Sequence, residues 1–205
     1  PFPESFPQRY KFLENSCVDL RCIPNPGDVV KIAIDCSSNA RIDFGSLFDR
    51  IDIDIVIDHH DTYSCNAKFC WQDPTYPAAG IMVFDILQEM TADFTPEISE
   101  ALYTAILTDT GQFAFPGTTS ECLRKAAFLI DNGADSTMIA QEIYWNYPIS
   151  YMKNKQIALN NMTFHFDGKV SLINFSQDVI DSYELFEQTE GIIDLGIMIK
   201  GVEVA

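Results

Sequence analysis

Asp58, His59 and His60 follow one another at the end of the apolar run in DIVIDHHDTY (54–63), and the pair supplies two of the three histidines among 205 residues. Adjacent imidazoles at the mouth of a buried strand have no routine packing role. Neutral imidazole beside carboxylates makes a mixed nitrogen and oxygen ligand set, which suits Mn²⁺, Mg²⁺, Co²⁺ or Zn²⁺ better than a soft, thiolate-seeking metal. Two more acids are placed to join: Asp35 ends the run VVKIAID (29–35), and Asp109 closes an apolar helical pattern just before a turn in ILTDTGQF (106–113). A carboxylate shared by two cations would let them lower the pKa of a bridging water and clamp both oxygens of an in-line phosphoryl displacement. The second histidine could then hydrogen-bond a phosphate oxygen or protonate the leaving group. Taken singly, Asp35, Asp58 and Asp109 could equally be caps or turn formers. His165, alternating with Phe164 and Phe166, reads as a solvent-facing strand residue.

The elements that must position these groups are legible in the hydrophobic period. Val29–Asp35 is β-branched without polar alternation and Ile51–Asp58 alternates before turning apolar, as expected of strands in a parallel sheet, the first of them buried on both faces. Helical patterns follow: AAGIMVFDILQEM (78–90); a segment capped by Thr95 with Pro96 in its first turn; one with the capping-box pattern Thr118 to Glu121 and Gly133 as its stop; one starting at Asp135 or Ser136; and one opening near Pro148. Strands alternating with helices predict an α/β fold, a parallel sheet flanked by helices, whose ligands bind outside the carboxyl ends of the strands. Asp35, His59 and His60 lie there. After Met162 the period becomes that of strands, with a hairpin around Asp167-Gly168, and GIIDLGIMIKGVEVA (191–205) reads as one more strand pair or strand extension. The expected division is a catalytic domain over 1–147, a linker helix over 148–162 and the opening of a smaller α/β domain over 163–205.

With 30 acids against 13 bases the formal net charge is −17, which argues against a nucleic acid held mainly by basic patches. An anionic substrate would need bound cations instead. No run of about 18 uncharged apolar residues occurs, so nothing favours a membrane span, and a cytoplasmic location is the expectation. The six cysteines form no C-x-x-C pair and read as reduced thiols; the equal four-residue gaps of Cys17/Cys22 and Cys65/Cys70 are looser than usual zinc spacings. Both ends read as cut.

The segments AIDCSSNARID, VIDHHD and ALYTAILTDTGQF, in that order and spacing, resemble the DHH phosphoesterase superfamily. The resemblance extends through GTTSECLRKAAFLIDNGAD and YMKNKQIAL, and the tail from GKVSLINFS to IMIKGVEVA is similar to the opening of the DHH-associated domain. It implies an α/β domain joined by a linker to a smaller domain, with two Mn²⁺ or Mg²⁺ ions bridged by Asp35. His59 and Asp109 would ligate one of them, His60 would contact the phosphate, and Asp58 would orient a histidine. Arg41 stands where the family often carries an arginine. The family's first motif, His-x-x-x-Asp-x-Asp, and the glycine-rich motif of its associated domain do not occur in these residues, as a truncated chain would explain. The branch most alike trims short RNA oligonucleotides and removes the 3′-phosphate of 3′-phosphoadenosine 5′-phosphate. The expected partner is therefore a short RNA or DNA oligonucleotide or a nucleotide phosphate, and a homodimer is compatible with such an enzyme. The alternatives are a cyclic-dinucleotide phosphodiesterase or pyrophosphatase of the same superfamily, or a non-catalytic binding module that lost one metal site.

Overall fold

A computed structural model describes residues 7–16, 29–36, 53–61, 67–177, 179–180 and 191–205. The chain divides into two compact units, Pro1–Ile143 and Tyr144–Ala205.

In the first unit, a 3-10 helix (Gln8–Ser16) precedes three strands, β1 (Ile32–Ile34), β2 (Ile53–Asp58) and β3 (Ala67–Gln72). They form a parallel sheet in the order β1-β2-β3, with Ala33 opposite Val56 and Val56 opposite Cys70. The Asp35 backbone N–H donates to the Ile57 carbonyl at 3.0 Å, which holds Asp35 beside the start of the histidine pair. Strand β3 had no counterpart in the reading of the sequence. AKFCWQ carries the aromatic residues of a strand, but Lys68 and Gln72 break up its apolar run. Strand β1 also departs from expectation. Ala33 is buried, yet Ile32 and Ile34 are 51% and 46% exposed, because successive side chains point to opposite faces and the described elements cover only Ala33 there.

The helices are α1 (Ala79–Glu89), α2 (Pro96–Asp109), α3 (Ser120–Asp131) and α4 (Ser136–Tyr144). Their ends follow the local chemistry. Thr95 caps α2 by accepting from Ile98 N–H, and Asp135 accepts from the N–H groups of Thr137 and Met138 at the start of α4. The cap of α3 is Thr119, which accepts from Cys122 N–H at 3.1 Å. The capping box on Thr118 does not form: the helix begins one residue later, so Glu121 sits one position too early to close it. Gly133, at φ +102°, ends α3 in a Schellman turn, with Gly133 N–H donating to Ile130 and Ala134 N–H to Leu129. Met82, Phe84, Ile106, Leu129, Ile139 and Ile143 are fully buried, and each such side chain contributes about 1.5–3 kcal/mol. Phe84, Phe94 and Phe128 pack ring to ring at 4.9–5.4 Å.

The second unit opens on α5 (Ile149–Asn160), with Pro148 at its N-cap. An antiparallel hairpin follows, β4 (Met162–His165) and β5 (Val170–Ile173), turning through Phe166, Asp167 and Gly168, all at positive φ. The strand expected over 191–205 is replaced by a short helix, α6 (Asp194–Ile197), and a single bridge of Val204 to Val170. The apolar residues Ile192, Ile193, Leu195 and Ile197–Ile199 are interrupted by Asp194 and Gly196, a spacing that a single helical turn accommodates as well as a strand. No helix among the described residues is long and apolar enough to cross a membrane.

Candidate metal centre

Asp35 just after β1, Asp58 at the end of β2 with His59 and His60 following it, and Asp109 at the end of α2 come together in the first unit. Asp35 takes a left-handed backbone, φ +59°, a conformation that aspartate tolerates better than most residues. His59 Nε2 lies 3.3 Å from Asp35 Oδ1 and 3.6 Å from Asp109 Oδ2. His60 Nδ1 lies 3.6 Å from the same Asp35 oxygen and 2.7 Å from Asp58 Oδ1. Asp35, His59 and His60 each offer a donor atom within 4.8 Å of the other two. The two imidazoles are tilted against each other with centroids 4.6 Å apart.

Asp109 reaches this point because α1 and α2 cross closely. Gly80 makes the approach: a Cβ on it would stand 2.9 Å from Ala105 Cβ. The carboxylate at the end of α2 then faces the Ala79 N–H at the start of α1, which favours its charged form. The chain turns away at once through Gly111, Gln112 and Phe113, all at positive φ. Thr110, buried beside Asp109, donates to Ile106 O and accepts from Phe113 N–H.

Backing for the histidines comes from the end of β3. Gln72 Nε2 donates to the His60 carbonyl, and Asp73 N–H donates to the Asp58 carbonyl at 3.0 Å. Asp73-Pro74-Thr75-Tyr76 is a β-turn closed by Tyr76 N–H to Asp73 O, with Asp and Pro at the positions such turns favour. The Tyr76 carbonyl stands 3.2 Å from His59 Nδ1. None of Gln72, Tyr76 and Ala79 was singled out from the sequence. The turn signal DPTY was available, but two of these contacts run through backbone atoms, which residue types do not advertise.

The donor set fits a divalent ion. A carbonyl can only accept, so His59 donates from Nδ1 and turns the Nε2 lone pair toward two carboxylates. That arrangement is repulsive unless a proton or a cation lies between them. The charges record the crowding. The hydrogen bond to His59 lowers the Asp35 pKa, and the same bond raises that of His59. Burial, followed by the neighbouring Asp35 charge, pushes Asp109 up to about 6.

Arg41 lies outside the described residues, as do Cys17, Cys22 and Cys65. Cys36, Cys70 and Cys122 form no disulfide among the described residues. His165 is exposed on β4, with Nε2 3.1 Å from Thr163 Oγ1, and belongs to no cluster among the described residues.

No family model matches the chain. A bifunctional oligoribonuclease and PAP phosphatase, NrnA, of Thermus thermophilus is 34% identical over 124 residues, covering 60% of this chain and 38% of the relative. A probable protein of the same name from Streptococcus mutans is 24% identical over 174 residues, 84% of this chain and 55% of the relative. The chain thus spans between 38% and 55% of these relatives' length. Among solved structures, an exopolyphosphatase-related protein from Bacteroides fragilis superposes with a TM-score of 0.80 at 23% identity, over 98% of this chain and 63% of that one. In the order of its motifs, in its curated relatives and in its α/β fold, the chain resembles the DHH phosphoesterases, and most of all their oligoribonuclease and PAP phosphatase branch.

Proposed function

We propose that the protein containing this chain is a metal-dependent phosphoesterase that hydrolyses short oligonucleotides, the 3′-phosphate of 3′-phosphoadenosine 5′-phosphate, or both. The observation that carries the reading is the meeting of Asp35 and Asp109 on the Nε2 atom of His59, from three separate elements. Asp35, His59 and Asp109 would hold Mn²⁺ or Mg²⁺, with Asp35 shared between two ions. Bound there, such ions activate water and offset the charge of the phosphate. His60 donates from Nδ1 to Asp58, so its Nε2 is the nitrogen left to contact a phosphate oxygen or the leaving group. Asp58 fixes that ring in place. Arg41 is counted as a further catalytic candidate because it stands where the family often carries an arginine. The names of the curated relatives favour nucleotide substrates, and the net charge of −17 suits short ones, which need little basic surface.

The test is to express the full reading frame, load it with Mn²⁺, and offer di- to pentanucleotides and 3′-phosphoadenosine 5′-phosphate. Release of mononucleotide or phosphate is expected. Bound metal without turnover of either substrate would overturn the assignment.

A further inference from the structure

The Tyr76 phenol makes its hydrogen bond to Asp85, while its backbone carbonyl receives the Nδ1 proton of His59. Tyr76 precedes Pro77, which restricts its own backbone to extended conformations, and it closes the turn whose first residue is bonded to the Asp58 carbonyl. Asp73 Oδ1 stiffens that turn further by accepting from both the N–H and the hydroxyl of Thr75. The phenol is anchored from the other side. Its hydroxyl donates to Asp85 Oδ2 on α1 at 3.3 Å, and Asp85 Oδ1 pairs with Lys125 Nζ on α3 at 2.6 Å. Lys125 also reaches Glu121 at 3.2 Å, and the edge of Trp71 packs against the Tyr76 ring at 5.6 Å. The phenol is therefore tied to two helices, and its own main chain sets one histidine ring.

We infer that Tyr76 is a positioning residue: its phenol, held by Asp85 and Lys125, fixes the turn whose carbonyl selects the tautomer of His59, so that Nε2 faces Asp35 and Asp109. The consequence for metal binding rests on the reading of His59 as a ligand; the contact of its Nδ1 with the Tyr76 carbonyl does not. Partners of this kind orient ligating imidazoles, and their loss typically weakens metal binding by about 10- to 100-fold.

The test is Tyr76→Phe, which keeps ring, backbone and volume and removes only the hydroxyl, alongside Asp85→Ala and the double variant. Nitrogen-15 spectra of the histidines, taken in excess diamagnetic Mg²⁺ at a pH where imidazole is neutral, should show His59 almost wholly as the Nδ1–H tautomer in the parent, because a cation then replaces the proton between Nε2 and the two carboxylates. A substantial Nε2–H population should appear in each variant. Mn²⁺ affinity should fall about 10-fold in either single variant, and the double variant should lose little more, because both act on one chain of contacts. An unchanged tautomer in folded Tyr76→Phe would overturn the inference, as would fully additive losses. A parent that binds no Mn²⁺ while the tautomer still responds to Tyr76→Phe would overturn the metal reading and leave the positioning role standing.

Discussion

Asp58 holds His60 twice through a single oxygen: Oδ1 accepts from the His60 backbone N–H at 2.9 Å and from its Nδ1 at 2.7 Å. The other oxygen, Oδ2, is buried without a hydrogen-bond partner among the described residues, and the residue as a whole is 1% exposed. A buried carboxylate with one oxygen unsatisfied is costly to keep, so its retention at the end of β2 points to a demand for a fixed, oriented imidazole.

Asp58→Asn should therefore preserve the fold and the bound metal while reducing turnover. An amide oxygen can still accept from the backbone, but it holds the Nδ1–H less firmly than a carboxylate does. The expected loss in kcat is about 10²-fold, at the lower end of the range for a misplaced general acid. Steady-state kinetics beside a metal titration would check it. A proportional loss of bound metal would count against the division of roles.

Asp35→Ala and His60→Ala should separate. Removing Asp35 takes away an oxygen that stands 3.3 Å from His59 and 3.6 Å from His60, so metal binding and activity should both disappear. His60→Ala should keep metal and lose rate by about 10²- to 10⁴-fold. Metal content after gel filtration, compared with kcat, distinguishes the two; equal metal loss would contradict the roles given to them.

The centre should bind metal more tightly as pH rises. His59 is raised by its hydrogen bond to Asp35, so in the metal-free protein it contributes stability below its unfolded value of about 6.5, and that contribution is lost as pH climbs through the folded pKa. Asp109 acts in the same direction: burial raises it to about 6, so the fold favours the neutral acid and loses that preference between pH ~4 and about 6. Asp35 runs the other way. Its depressed pKa contributes stability above about pH 4 that is lost only in stronger acid. A divalent cation must displace the protons of His59 and Asp109, so the gain in Tm on adding Mn²⁺ should grow from about pH 5.5 to about pH 8. Thermal melts with and without Mn²⁺ across that range provide the check, and a gain that shrinks toward alkaline pH would refute it.

Gly80→Ala tests the crossing that delivers Asp109. Alanine is the better helix former by about 0.5–1 kcal/mol, but its Cβ would meet the Cβ of Ala105 at 2.9 Å, and neither atom can rotate away. Overpacking of this kind costs about 1–3 kcal/mol. The net result should be destabilisation by about 1 kcal/mol in urea unfolding, together with weaker Mn²⁺ binding as Asp109 moves off. Unchanged stability and unchanged affinity would show that the close approach of α1 to α2 is not needed.

The residue types and their order were enough to predict an α/β sheet, to put Asp35 and the histidine pair at strand ends, and to place Asp109 at the close of a helix. Hydrophobic period and strand-end position are local properties, and the sequence carries them directly. What the sequence could not contain was the convergence. Asp109 meets His59 because Gly80 admits α2 against α1, and the ring of His59 is turned by a carbonyl from a loop beyond a strand that the pattern concealed. The capping of α3 by Thr119 and the helical turn at Asp194–Ile197 likewise depended on packing and phase that no local preference decides. Contacts made through backbone atoms and through the crossing of two helices exist only once the chain is folded, because they join positions whose side-chain identities say nothing about one another.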